Sequence, residues 1–199
     1  MNKLLEILFP DQLETSWLAA AARSLLLLCL VVCTISIAAA GKKAGYTGYL
    51  GERFFHLVNL PFHEAGHVFF QIGGSFLHSL GGTLGQLLMP LICLITLLLR
   101  TRDAFGASVC FWWFGQNFAD IAPYINDARA GVLPLLGGNT GQSSPYGFHD
   151  WEYLLTETGL RQQDTAIAQA SHLLAVLLMC AALAWGGLIL FKQFKSITE

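Results

Sequence analysis

The sequence predicts an all-α fold, a polytopic bundle of transmembrane helices with about five spans. Three observations lead to this prediction. Of the 199 residues, 54% are hydrophobic and only 12% are charged, whereas an average soluble domain carries about 25% charged residues. The mean hydropathy is +0.54. The apolar residues also fall into segments of about 20 residues, the length at which a helix crosses a bilayer.

Five apolar segments account for most of the chain. The first is interrupted only by Arg23, and the second and third contain Pro61 and Pro90, which favour kinks. Residues 1–15 form an amphipathic stretch that we expect to lie at the membrane surface. The chain is long enough for one compact bundle. It is therefore taken as a single integral membrane domain, residues 1–199, with predicted spans at residues 17–40, 49–74, 83–99, 104–123 and 166–191.

Two connecting segments have unusual compositions. Residues 75–85 (SFLHSLGGTLG) are rich in glycine, and they predict a re-entrant loop or a strand-like edge that could pair with an extended peptide. Residues 124–165 form one long outer loop, because their first part is rich in Gly, Pro, Ser and Asn. A short helix is expected within this loop, from Asp150 to Thr158.

The second span contains an H-E-x-x-H motif, from His63 to His67. Residues four apart share one face of a helix, so these two histidines can offer two imidazole nitrogens to one metal ion. Glu64 lies about 100° around the same turn. Its carboxylate can take a proton from a water molecule and return it to a leaving group. Burying such residues in an apolar segment is costly without a metal or other partners, so the pattern favours a metal site.

An H-E-x-G-H motif on a hydrophobic helix of a small polytopic protein resembles the membrane-embedded zinc metalloproteases of the site-2 protease class. The resemblance is specific over residues 59–74 and weaker over residues 75–127. It implies Zn²⁺ as the cofactor, held by His63 and His67, and Glu64 as the general base. It also implies a third ligand, usually an Asp on a later transmembrane helix. The Asp-Gly signature of that family is missing here, because no Asp in this chain is followed by Gly.

The third ligand has three candidates, since a catalytic zinc site usually has three protein ligands and one open position. His149 ranks first, because imidazole is the commonest nitrogen ligand of zinc and the loop can fold over the helix. Asp120 in the fourth span ranks second and is the residue that the family resemblance favours. Asp150 ranks third, because it can alternatively cap the N-terminus of the following helix.

Basic residues predict the orientation of the bundle. With five spans, seven of the 11 Lys and Arg residues fall on one side, which is therefore expected to be cytoplasmic. The N-terminus is then outside, the C-terminus is cytoplasmic, and the motif lies in the outer half of the bilayer. The segment from Tyr124 to Trp151 emerges on the same side. We expect it to pack over the site, with Asp127 and Arg129 paired at its base.

These observations predict a zinc-dependent peptidase, embedded in a membrane such as a bacterial inner membrane, that cleaves membrane-associated proteins. A membrane-bound zinc hydrolase of lipids or amides and a non-catalytic metal-binding scaffold are the alternatives. The expected partners are membrane lipids and a protein substrate, without nucleic acid, and a homo-oligomer is left open. The five cysteines include no C-x-x-C pair, so they indicate neither a disulfide framework nor a cysteine-based zinc site.

Overall fold

The computed structural model describes residues 3–10, 16–41, 50–136, 138–143 and 149–198. Within these residues the chain is helical and has no β-strand, which confirms the all-α prediction. Short 3-10 turns precede α4 and α7, and a π-helical turn extends α4. The helices are α1 (Lys3–Leu8), α2 (Trp17–Ala40), α3 (Leu50–Phe70), α4 (Ser75–Thr96), α5 (Ala104–Asn126), α6 (Asp150–Glu157) and α7 (Asp164–Thr198).

Three helices among the described residues are long and apolar enough to cross a membrane. They are α2, α4 together with the π-helical turn that continues to Thr101, and α7 together with the turn that begins at Arg161. Helices α3 and α5 have 21 and 23 residues, but they carry many of the polar residues of the site described below. The three apolar helices fit a membrane protein.

Helix α5 lies at the centre of the bundle. It packs against α7, α4 and α3, and α2 packs against α7. The indole of Trp112 is buried at this centre, where its Nε1–H donates a 2.8 Å hydrogen bond to the Thr34 hydroxyl. The apolar core around it joins α2, α5 and α7 and consists of Leu30, Ile37, Trp112, Ala119, Ala175, Met179 and Ala182.

The glycine-rich residues 75–85 are helical, so the predicted re-entrant loop or strand-like edge is wrong. Their glycines serve helix packing instead. A Cβ built on Gly66 of α3 would overlap the carbonyl group of Gly81, and one built on Gly85 would overlap the carbonyl oxygen of Phe62. Small residues four apart are a common way for membrane helices to bring their backbones into contact. This contact explains why α4 begins earlier than the composition predicted.

The segment that follows α5 forms a compact turn. The Asp127 carboxylate accepts hydrogen bonds from the backbone N–H groups of Val132 and Leu133, at 3.1 and 2.9 Å. Arg129 instead forms a two-point ion pair with Asp164 at the start of α7, and both N–O distances are 2.8 Å. The predicted pair of Asp127 and Arg129 is therefore wrong, because the turn supplies Asp127 with backbone donors.

Several other helix boundaries agree with the predictions, but α7 extends to Thr198, beyond the predicted end at residue 191. Helix α2 has the predicted bounds, and α6 confirms the short helix expected from Asp150. Helix α3 continues through Pro61, and α4 continues through Pro90. The predicted start of the second span at residue 49 lies outside the described residues.

The glycine contact gives a stability prediction. The alanine methyl in Gly66→Ala would fall where the backbones of α3 and α4 touch, and overpacking of this kind costs about 1–3 kcal/mol. We expect a thermal unfolding midpoint in detergent several degrees below that of the wild type. Gly187→Ala in α7 is the matched control, because a Cβ there meets only Leu27, at 4.0 Å. Equal midpoints for the two variants would contradict the close contact.

Candidate metal centre

A cavity of about 1390 Å³ lies among α3, α4, α5 and α6. Apolar side chains such as Leu57, Leu60 and Ile121 form part of its wall. Another part is formed by Pro134, Leu135, Leu136 and Asn139. Most of the ionisable and amide side chains of the candidate site face this space. The polar lining residues are His56, His63, Glu64, His67, Gln71, Ser75, His78, Ser79, Thr83, Gln86, Asp120, Tyr124, Asn139, His149, Asp150 and Tyr153.

Three possible metal ligands converge at one point of this cavity. His63 and His67 are one turn apart on α3, and their ring centroids are 4.8 Å apart. One carboxylate oxygen of Asp150 lies 3.2 Å from Nε2 of His63 and 3.1 Å from Nε2 of His67. The candidate ligand atoms of the three residues all lie within 4.8 Å of one another. The structure thus brings the third-ranked candidate, Asp150, to the histidine pair.

The His67 ring is oriented by the backbone of α4. Its Nδ1 lies 2.7 Å from the carbonyl oxygen of His78. A carbonyl oxygen can only accept, so Nδ1 carries the proton and, in the neutral ring, Nε2 presents a lone pair. The His78 ring makes the reciprocal contact, donating from Nδ1 to the carbonyl oxygen of His67 at 3.0 Å. Two backbone carbonyls therefore tie the end of α3 to the start of α4.

The His63 ring is oriented by side chains from α4 and α5. Its Nδ1–H donates to Oε1 of Gln86 at 2.7 Å. The Gln86 amide nitrogen donates to Oδ1 of Asn117 at 3.1 Å, and the Asn117 amide nitrogen donates to the carbonyl oxygen of Trp113 at 2.9 Å. His63 therefore also presents the lone pair of Nε2 toward Asp150.

This arrangement could hold a metal ion. Two nitrogen lone pairs and a carboxylate oxygen at hydrogen-bond distance repel one another unless a proton or a cation lies among them. Histidines that bind a metal commonly donate their other N–H to a carbonyl or amide oxygen, as His63 and His67 do here. Two imidazoles and one carboxylate are a ligand set found in catalytic zinc sites, where a fourth position stays open.

The charge state of Asp150 suits a ligand. Burial raises the pKa of this carboxyl group, but hydrogen bonds from His63 and His67, which donate from Nε2 when their rings are protonated at both nitrogens, lower it by more, and the resulting pKa is about 2. Asp150 is therefore a carboxylate at neutral pH, the form that binds a cation. It is also the first residue of α6, where the helix dipole stabilises a negative charge.

His149, the first-ranked candidate for the third ligand, lies beside the cluster and has other contacts. Its Nδ1 accepts a 3.4 Å hydrogen bond from the Glu152 N–H, so His149 and not Asp150 is the N-cap of α6. Its Nε2 lies 3.6 Å from a carboxylate oxygen of Asp127. The imidazole is buried, and it lies between Asp127 at the end of α5 and the first turn of α6.

Asp120, the second-ranked candidate, is held in a separate network between α3 and α5. One of its oxygens lies 3.0 Å from Nδ1 of His56, and the other accepts from the Asn59 amide at 3.0 Å. Asn59 also donates to Gln116 and accepts from the Trp113 indole. The structure therefore does not bring Asp120 into contact with His63 and His67.

Several residues of the site carried only a weak signal in the sequence. Gln86 and Asn117 are polar residues in apolar helices, which marks them as buried polar groups but does not reveal that they contact each other. His78 supports His67 through its backbone carbonyl, which no side-chain pattern can indicate. Glu64 lines the cavity, as its position in the motif suggested.

No protein-family model, curated protein or solved structure matches this chain.

The two aspartates can be distinguished by zinc binding. Asp150→Asn keeps the size of the side chain but removes the charge beside Nε2 of His63 and His67, so we expect zinc affinity to fall by roughly 10-fold or more. Asp120→Asn is the matched control, since its partners are His56 and Asn59, and it should keep the wild-type affinity. Competition with a chromophoric chelator measures both. The opposite pattern would assign the third ligand to α5.

Proposed function

We propose that this protein is a zinc-dependent metallopeptidase embedded in a membrane, acting on membrane-associated proteins. The observation that carries the proposal is the convergence of Nε2 of His63, Nε2 of His67 and the Asp150 carboxylate, with both Nδ1–H groups already used as donors. The glutamate of the motif lines the same cavity. The resemblance to the site-2 protease class adds a likeness in sequence over the motif.

In this proposal His63, His67 and Asp150 would hold a zinc ion, which when bound would act as a Lewis acid on the scissile carbonyl and would lower the pKa of a water molecule. Glu64 transfers the proton in this reaction. Its carboxylate takes a proton from the attacking water and then gives that proton to the leaving nitrogen, so the peptide bond is replaced by a carboxyl group and an amine. Gln86 and the His78 carbonyl keep the two imidazoles oriented throughout.

The lining of the cavity favours a peptide over an anionic lipid as the substrate. Among the described residues that line it there are three carboxylates, Glu64, Asp120 and Asp150, and no Lys or Arg. Sites that bind phosphate or carboxylate groups usually provide cationic side chains. An uncharged peptide backbone with apolar side chains fits a wall that contains Leu57, Leu60 and other apolar residues.

The proposal includes a five-span arrangement in which α3 and α5 cross the membrane with α2, α4 and α7. Helices α3 and α5, with 21 and 23 residues, are about 30–35 Å long, close to the thickness of the hydrocarbon core. Many of their polar side chains bond to one another or face the cavity, as polar groups inside a membrane must. The basic residues then favour an outer N-terminus and a cytoplasmic C-terminus. Location in a bacterial inner membrane stays a prediction.

The catalytic role of Glu64 has a direct test. Glu64→Gln removes the base but none of the proposed ligands, so the purified variant should keep about one zinc ion per chain and lose turnover of a labelled transmembrane peptide. His63→Ala and His67→Ala should lose the zinc as well. Full turnover by Glu64→Gln would rule out the peptidase mechanism. Zinc binding without turnover of any peptide or lipid by the wild type would favour a metal-binding scaffold.

The orientation can be tested by cysteine labelling in intact cells, with the five native cysteines replaced. A cysteine at Ser143, in the segment between α5 and α6, should react with an impermeant thiol reagent added outside. A cysteine at Lys195, near the end of α7, should react only after the cells are broken. The reverse pattern would invert the proposed orientation.

A further inference from the structure

We propose that Gln86 and Asn117 are positioning residues that fix the tautomer of His63, so that a residue of α5 controls metal binding without touching the metal. The inference rests on the proposed function, in that His63 is taken as a ligand. It concerns the two buried amides between His63 and the carbonyl of Trp113, whose exposed fractions are 4% for Gln86 and 0% for Asn117.

The orientation of both amides follows from the last hydrogen bond of the series, which joins Asn117 to the Trp113 carbonyl. A backbone carbonyl only accepts, so the atom of Asn117 that lies 2.9 Å from it must be the amide nitrogen. The Asn117 oxygen then faces Gln86 at 3.1 Å and requires a donor, which is the Gln86 nitrogen. The Gln86 oxygen is thereby turned toward Nδ1 of His63, at 2.7 Å. Each bond determines the direction of the next.

The tautomer of His63 depends on which end of the Gln86 amide faces its Nδ1. An amide oxygen at Nδ1 requires the proton on Nδ1 and leaves Nε2 of the neutral ring as a lone pair, the form that binds a metal. A reversed Gln86 amide would present its NH₂ group to Nδ1. The ring would then place its proton on Nε2, the atom that faces Asp150, and could not bind a metal through that atom.

His67 does not share this dependence. The acceptor for its Nδ1–H is the backbone carbonyl of His78, which cannot be reversed by a side-chain rotation. The acceptor for His63 is an amide that can rotate by 180°, and among the described residues its contact with Asn117 determines which end faces the ring. The two histidines of the motif are thus supported by different means, and α5 acts on one of them.

The test compares zinc affinity in four variants of the purified full chain in detergent. Gln86→Met has a similar size but no acceptor, and we expect a loss of roughly 10- to 100-fold. Gln86→Glu keeps an acceptor oxygen for Nδ1, but it leaves the Asn117 oxygen facing another oxygen, so it serves as the background for the Asn117 substitution. Asn117→Leu should weaken binding, because the Gln86 amide is no longer held in one orientation. The fourth variant combines Gln86→Glu with Asn117→Leu.

The combined variant separates orientation from simple packing. A carboxylate offers an oxygen in either orientation, so it does not need Asn117, and we expect the double variant to recover the affinity that Asn117→Leu loses. A defect in packing would persist in the double variant. Gln116→Leu is the matched control on α5, because it removes an equally buried amide whose described bond is to Asn59. It should leave zinc affinity unchanged.

Affinity is measured by competition between zinc and a chromophoric chelator, and the visible absorption spectrum of the Co²⁺ form reports whether both histidines are bound. Equal affinity in the wild type and in Gln86→Met would overturn the inference. So would a double variant that folds but stays as weak as Asn117→Leu. A wild-type protein that binds no zinc is a different result, because it refutes the proposed function itself.

Discussion

The geometry of the candidate site depends on the close contact between α3 and α4. Three glycines, Gly66, Gly81 and Gly85, let the two backbones touch. At the same contact, a Cβ on Gly82 would collide with the His63 ring, so this imidazole lies directly on the surface of α4. Only at this separation can α4 offer acceptors to both Nδ1 atoms, through Gln86 and through a backbone carbonyl. The close packing of α3 against α4 thus determines how the imidazoles of His63 and His67 are hydrogen-bonded.

Helix α5 satisfies the polar groups that α3 and α4 bring into the interior. Trp113 contributes twice, because its indole N–H donates to Asn59 while its carbonyl accepts from Asn117. The network around Asp120 and the network that ends at His63 therefore meet at one residue. Buried polar groups without partners are costly, and a network in which each bond orients the next restricts the bundle to one arrangement.

The sequence was sufficient for the features that depend on local pattern. The all-α fold, most helix boundaries and the pair of histidines on one helix face follow from hydrophobicity and from the helical repeat. Asp150 is third among the three proposed ligands, and it is the one that the structure brings to His63 and His67. His149 and Asp150 are adjacent, and the one that reaches the cluster depends on where α6 begins, which is decided by the bond from the Glu152 N–H to His149.

The features that the sequence did not predict depend on contacts between distant segments. The glycines of residues 75–85 suggested an irregular backbone, since glycine disfavours an isolated helix. Packing against α3 compensates for that preference. Asp120 was recognised as an unusual polar residue in a hydrophobic helix. Its partners, His56 and Asn59, are more than 60 residues earlier in the chain, so the spacing within α5 could not reveal them.

The distance along the chain between the candidate ligands has a consequence for biosynthesis. Asp150 follows His63 by 87 residues, and the helix that carries it packs on α4 and α5. A ribosome therefore completes α3 well before it reaches Asp150, and the two histidines must wait for their carboxylate partner until α4 and α5 have been made. Under the proposed function, a nascent chain would have no complete zinc site during most of its insertion.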